Sequence, residues 1–180
     1  MNINKFVKTV LVGTGTLLIL AGGMTAVIDP FFHYHKPLKQ LEYPLERGKE
    51  RYLNNGIIQN FDYDAAITGT SMMQNFKTSQ FDDLFGTHSV KVTLTGDTYW
   101  AIDEEIRTIF DNKSDIKYIF RCLDYNKIFD DKSDYNYDNV PTYLYDNNIW
   151  NDVQYLFNKD IFIDNTLGAV SYTHLRAHET

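Results

Sequence analysis

Residues 63–76 read YDAAITGTSMMQNF, and the order of residue types in that stretch decides how the chain is read. A short apolar run, Ala65, Ala66 and Ile67, leads into Gly69, Thr70 and Ser71; Met72, Met73 and Phe76 then follow at the spacing of a first helical turn. Strand, tight glycine turn, exposed hydroxyl and helix form the geometry that lifts a serine above a sheet edge, over a helix N-terminus. A serine so placed can attack a carbonyl while backbone N–H groups stabilise the oxyanion. The same tripeptide also serves as a turn plus an N-cap, because Ser and Thr hydroxyls satisfy orphan N–H groups at a helix start. The flanking sequence decides between the two.

Outward from this stretch, strand-like and helix-like segments alternate. Residues 65–68 form the first strand, and residues 71–85 are helical in whole or part. Residues 89–94 (SVKVTL) alternate and are rich in Val and Thr, as a strand requires. Tyr99, Ile102, Ile106, Ile109 and Phe110 recur at helical spacing behind an Asp97 or Thr98 N-cap, and residues 115–123 (DIKYIFRCL) make a third strand. Upstream, residues 45–60 predict a helix with Leu53, Ile57 and Ile58 on one face. Downstream, residues 130–148 are a polar, tyrosine-rich connection, and Trp150, Val153 and Phe157 predict one more helix. The β-α-β-α-β order with right-handed crossovers builds an α/β fold, a parallel sheet flanked by helices.

In an open parallel sheet, ligands sit outside the carboxyl ends of the strands. That rule gathers Ser71, Gly96 with Asp97, and Asp124 with Asn126 on one rim. A glycine at the second end lets its N–H approach a substrate oxygen, and an amide side chain at the third adds a donor. Each pair also has a plain reading, as a turn with a cap and as a loop.

These residues resemble the SGNH (GDSL-like) hydrolase superfamily, in its branch of membrane-anchored extracytoplasmic proteins. That branch includes the D-alanyl-lipoteichoic acid transfer protein and alginate-type O-acetyltransferases. Gly69-Thr70-Ser71 resembles the family's first block with Ser71 as nucleophile, Thr70 standing where Asp is common. Gly96 resembles the oxyanion glycine of the second block. Asn126 stands in for the third-block asparagine, although its LDYN context departs from the family's glycine-led block. The resemblance spans residues 61 to about 129. It implies a flavodoxin-like three-layer domain, no cofactor and no metal, and a histidine base from an Asp-x-x-His element that this sequence does not contain. His88 precedes the second strand, at the opposite end of the sheet from Ser71.

The charge balance excludes one class of partner. With 17 Lys+Arg against 24 Asp+Glu, the chain carries a formal charge of −7, a poor match for nucleic acid. No charge falls between Lys8 and Asp29, a run long enough to span a bilayer core. Lys5 and Lys8 on the short side place the N-terminus in the cytoplasm and the remainder outside. The run exceeds a signal-peptide core, which favours an uncleaved anchor; a signal peptide cut after Ala21-Gly22-Gly23 is the alternative. Phe31, Phe32 and Tyr34 then fall where an interfacial aromatic belt belongs, and His33-x-His35 is read as interfacial packing rather than metal ligation. The lone Cys122 sits among apolar residues as a core thiol.

Residues 170–180, VSYTHLRAHET, are the frame translation of a transposon-end adapter used in preparing DNA for sequencing, and Ala169 fits the same frame. On that reading the natural chain is expected to continue past about residue 168, so that the α/β domain is incomplete. His174-x-x-x-His178 would then carry no biology. The organisation expected is a cytoplasmic N-terminus over residues 1–8 and an anchor over 9–28. A juxtamembrane lead-in over 29–60, the domain over 61–168 and the adapter over 169–180 complete it. Asp134-x-Asn136-x-Asp138 resembles the start of a calcium loop but has Asn139 where glycine belongs and Tyr145 where glutamate belongs. Two functions follow: a serine esterase or O-acyltransferase acting on cell-envelope glycans or polymers, with an acyl-carrying partner, or a non-catalytic envelope-binding module.

Overall fold

The computed structural model of the chain describes residues 3–44, 48–134, 140–146 and 148–177. These fall into two compact units. One comprises Phe31–Lys36 with Leu45–Tyr145, and the other Met1–Pro30, Pro37–Pro44 and Asp146–Thr180.

The first unit is α/β. Strands β1 (Ala65–Gly69), β2 (Ser89–Thr93) and β3 (Tyr118–Arg121) form a parallel sheet in the order β2-β1-β3. Ala65 is in register with Ser89 on one side and Tyr118 on the other. All five residues of β1 are buried, as befits a central strand covered on both faces. The short apolar residues of β1 alternate between the two layers. Ala66 joins Val90, Val92, Ile58 and Ile109 beneath α2 (Glu50–Asn60) and α4 (Tyr99–Asn112), while Ala65 and Ile67 join Met73 and Phe81 beneath α3 (Thr78–Phe85). The crossovers from β1 to β2 and from β2 to β3 run in opposite directions. Right-handed connections therefore carry α3 and α4 to opposite faces.

The segment expected to be one helix after Ser71 is divided. Residues Ser71–Asn75 wind as a 3₁₀ helix, the chain extends at Phe76, and α3 begins at Thr78. The lead-in helix starts at Glu50 rather than at residue 45; residues 45–47 lie outside the described residues, as do Asn136 and Asp138 of the calcium-like pattern. The aromatic belt is also corrected. Phe31 and Phe32 are 4% and 6% exposed and stack on Tyr52 and Phe61 at ring distances of 5.2 and 5.5 Å. Gly56 of α2 makes this possible, because a Cβ there would lie 2.0 Å from the Phe31 carbonyl oxygen.

In the second unit, α1 (Ile3–Ile28) is long and apolar enough to cross a membrane, and its 26 residues extend about 39 Å. Its buried residues, Gly22, Thr25 and Ile28, lie toward its C-terminal end. A Cβ on Gly22 would meet the Phe157 ring at 2.9 Å, so glycine permits this approach. The Tyr155 hydroxyl donates to the Asp29 carboxylate at 2.8 Å in the same unit. The helix expected around Trp150 is reduced to the single turn α5 (Val153–Leu156), with Trp150 itself 81% exposed. A π-helix, Ile161–Thr166, runs into α6 (Leu167–Ala177). Ala169 is buried; beyond it Val170, Tyr172 and Leu175 are exposed, and Arg176 pairs with Glu42 at 2.5 Å.

Gly56→Ala is expected to lower the stability of the α/β unit by about 3 kcal/mol, since the new methyl group can only be seated by moving backbone. Urea unfolding of the two forms measures it, and an unchanged midpoint would show that α2 does not pack on residues 31–32 as described.

Candidate functional site

The turn that carries Ser71 is built by a glycine. Gly69, at φ +146°, ends β1 in a region that side-chain-bearing residues rarely enter, and a Cβ there would lie 2.7 Å from Met73 Cγ and 2.9 Å from Cys122 Cβ. Its bareness lets Met73 fold back into the core against Ala65 and Ile67, which tightens the chain after Ser71 into a 3₁₀ turn. Thr70 precedes that turn in extended conformation, and its carbonyl accepts from Met73 N–H at 3.1 Å. The α-helical N-terminus expected beneath the serine is thus replaced by a five-residue turn. Ser71 is half-buried, and its hydroxyl has no hydrogen-bond partner among the described residues.

The strand order sharpens the position. With β2 and β3 on opposite sides of β1, the topology reverses between β1 and β3, where open α/β sheets form their ligand crevice. Across that boundary the Thr70 hydroxyl donates to the Asp124 carboxylate at 2.5 Å. The Tyr99 hydroxyl donates to the Asp124 carbonyl at 2.8 Å, and Cys122 Sγ lies 3.9 Å from Asp124 Oδ1. Burial raises the Cys122 thiol pKa first of all, helped by the Asp124 carboxylate, which disfavours its thiolate.

At the second strand end Gly96 takes φ +71°, a turn conformation that favours glycine. Lys127 Nζ donates to its carbonyl at 3.2 Å and pairs with Asp130 at 3.0 Å, so this lysine ties the second strand end to the third. Asp97 accepts the Thr98 N–H at 3.2 Å and pairs with Arg51 at 2.5 Å, and Thr98 caps α4. At the third end Asn126 is exposed on a 3₁₀ turn, Tyr125–Lys127. Ser71, Gly96 and Asn126 each follow the strand end expected of them, yet no hydrogen bond joins them to one another among the described residues. The contacts that tie the rim together come from Thr70, Asp124, Tyr99 and Lys127.

His88 sits at the start of β2, its N–H donating to Asp64 at 2.7 Å, at the sheet end opposite the rim. A cavity of about 580 Å³ opens elsewhere, along the outer edge of β2, with Leu53, Asn54, Ile57 and Lys91 in its wall; Ser71, Gly96 and Asn126 do not line it. Among the described residues no cluster of three or more His, Cys, Asp or Glu side chains is arranged for a metal. Sequence reasoning missed the buried polar group beneath the second strand end, where Glu105 meets Tyr145 and Arg51. Its signal was present, since Glu105 interrupts the stripe of Ile102 and Ile109 on α4. No family model, curated protein or solved structure matches the chain.

Thr70→Val and Asp124→Asn are each expected to cost about 1–2 kcal/mol of stability, with a coupling of about 1 kcal/mol in the double variant. Strictly additive losses in a denaturant titration would mean that the two side chains do not bond across the rim.

Proposed function

We propose that this chain carries the nucleophile end of an SGNH-like serine esterase or O-acyltransferase that acts on cell-envelope glycans or polymers. The observation that supports it is Ser71 on a glycine-built turn at the switch point of a parallel sheet, its hydroxyl uncommitted. In this reading Ser71 attacks an acyl carbonyl and becomes acylated. The Ser71 and Gly96 N–H groups hold the oxyanion, and Asn126 adds a donor once a substrate orders its exposed turn. Asp124 takes no part in proton transfer; through Thr70 it fixes where the nucleophile stands. The acyl group then passes to water or to a glycan hydroxyl.

A serine hydroxyl is a weak nucleophile until a neighbouring base takes its proton, and no described histidine bonds Ser71. The reading therefore requires a base that no described histidine supplies to Ser71. That same absence favours a second reading, an envelope-binding module that keeps the fold without the chemistry. The apolar α1 is taken as a single-pass anchor, with Lys5 and Lys8 on the cytoplasmic side and the α/β unit outside.

The chain as given is expected to hydrolyse generic acyl esters no faster than its Ser71→Ala variant, because loss of the base costs several orders of magnitude. A longer form that contains the Asp-x-x-His is expected to label at Ser71 with a serine-reactive phosphonate. Ester turnover by the given chain that survives Ser71→Ala, or a longer form that never labels, would move the assignment to the binding module.

For topology, a reporter active only outside the cytoplasm and joined after residue 168 is expected to be active. A silent reporter, together with an active cytoplasmic counterpart at the same junction, would reverse the orientation.

A further inference from the structure

Glu105 is 3% exposed and lies on the inner side of α4. One helix and two loop segments present polar or charged groups to it. Helix α2 supplies Arg51 and Asn54, the loop before α4 supplies Asp97, and the segment after the 142–144 turn supplies Tyr145. Arg51 is paired with Asp97 at 2.5 Å, and the Asn54 amide donates to the Thr93 carbonyl at 3.1 Å. The Tyr145 hydroxyl lies 2.6 Å from the Arg51 carbonyl oxygen and 3.0 Å from Glu105 Oε1; Oε2 is within full bonding distance of no group, though the Asn54 amide lies close enough to favour the ionised form.

A count of protons assigns the ionisation state. A phenol has one proton to give, and a backbone carbonyl can only accept. The shorter contact therefore uses the Tyr145 proton on Arg51. The contact to Glu105 then has oxygen facing oxygen with no proton between, unless the carboxyl brings its own. A neutral acid there donates to Tyr145, and every short contact has one donor. An ionised Glu105 would instead be a buried carboxylate near the half-buried Asp97, to which Arg51 is already paired.

We infer that Glu105 is held as a neutral carboxylic acid that donates to Tyr145 and, through Arg51 and Asp97, positions the Gly96–Asp97 end of β2. Loss of its proton to a solvent base loosens that end. No other bond is made or broken. Once ionised, Glu105 competes with the Arg51 carbonyl for the one Tyr145 proton, and with Asp97 for the Arg51 guanidinium. The loop from Gly96 to Thr98 then loses its tether. Glu105 is a positioning residue, and its consequence for an oxyanion at Gly96 rests on the proposed catalytic reading.

Linkage agrees in sign. Burial pushes the Glu105 pKa up to about 7 from an ordinary 4.5, with Tyr145, Arg51 and Asn54 opposing and Asp97 adding to the rise. Between those two values the folded chain holds a proton that the unfolded chain has lost. Stability is therefore fullest below the ordinary value, falls as pH rises toward about 7, and is level above it.

The test uses the full chain in detergent micelles, with glutamate labelled for infrared spectroscopy and backbone amides for NMR. From about pH 5 to about pH 8 the folding equilibrium constant of the native sequence is expected to fall about seventy-fold through this group, and that of Glu105→Gln to omit this drop, because the amide stays neutral and still donates to Tyr145. At about pH 6, where ordinary glutamates have lost nearly all their protons, a carbonyl band of a neutral acid should be present in the native sequence, absent from Glu105→Gln, and lost as the pH rises further. The Gly96 and Asp97 amide resonances should move with it in the native sequence and stay fixed in Glu105→Gln. No such acid band, or resonances that hold still while the band disappears, would overturn the inference even if Glu105→Gln fails to fold. Ser71→Ala should titrate like the native sequence, so a failure of the catalytic reading is scored separately.

Discussion

The α/β unit depends on one constraint, the complete enclosure of β1. Its residues are buried on both faces and its edges are taken by β2 and β3. With water excluded, every backbone group of the strand must be paired, which holds its two neighbours in fixed register. The central place of β1 also makes its carboxyl end the point where the topology reverses. The glycine turn is thereby placed against the end of β3, and Thr70 can reach Asp124. A different strand order would have left the same GTS tripeptide on an edge, with no crevice beside it.

Much of this was legible in the residues. Short apolar and β-branched runs at 65–68, 89–94 and 115–123 announce the three strands, the third of which is observed only over Tyr118–Arg121, and the spacing of Ile102 and Ile109 announces α4. The strand order was not legible, because a β-α-β-α-β pattern fixes the hand of each crossover but not its direction. The break after Asn75 was hidden for another reason. Met72, Met73 and Phe76 carry a helical spacing, but Met73 is drawn under the bare Gly69, and that pull winds the turn more tightly than an α-helix allows. The aromatic residues at 31 and 32 follow an apolar segment just as a membrane belt would. Only the backbone-sized gap at Gly56 separates the two readings, and that gap depends on α2 crossing at that point.

The rim shows a similar division between residue type and geometry. Resemblance selects Asn126 for its position in a block, whereas the contacts select its neighbours. Asp124 faces inward to Thr70, Lys127 reaches Gly96, and Asn126 between them faces solvent. In a turn of three residues, side chains diverge around the axis, so one residue of register decides which is tethered and which is free to meet a ligand. The sequence offers the type of each residue there but not its direction.

The two sides of the crevice are held by unequal means. On the β1–β3 side, Thr70 and Asp124 bond directly, and Tyr99 adds a second hold on Asp124. On the β2 side, Gly96 is held from outside by Lys127, which is already shared with Asp130, and from beneath by Arg51 acting on Asp97. Lys127 and Asp130 are themselves half-buried, so this hold acts together with the one from beneath. The hold from beneath runs through a buried carboxyl group whose proton is shared with a tyrosine. The support of the Gly96 loop is thereby set by whether Glu105 keeps its proton.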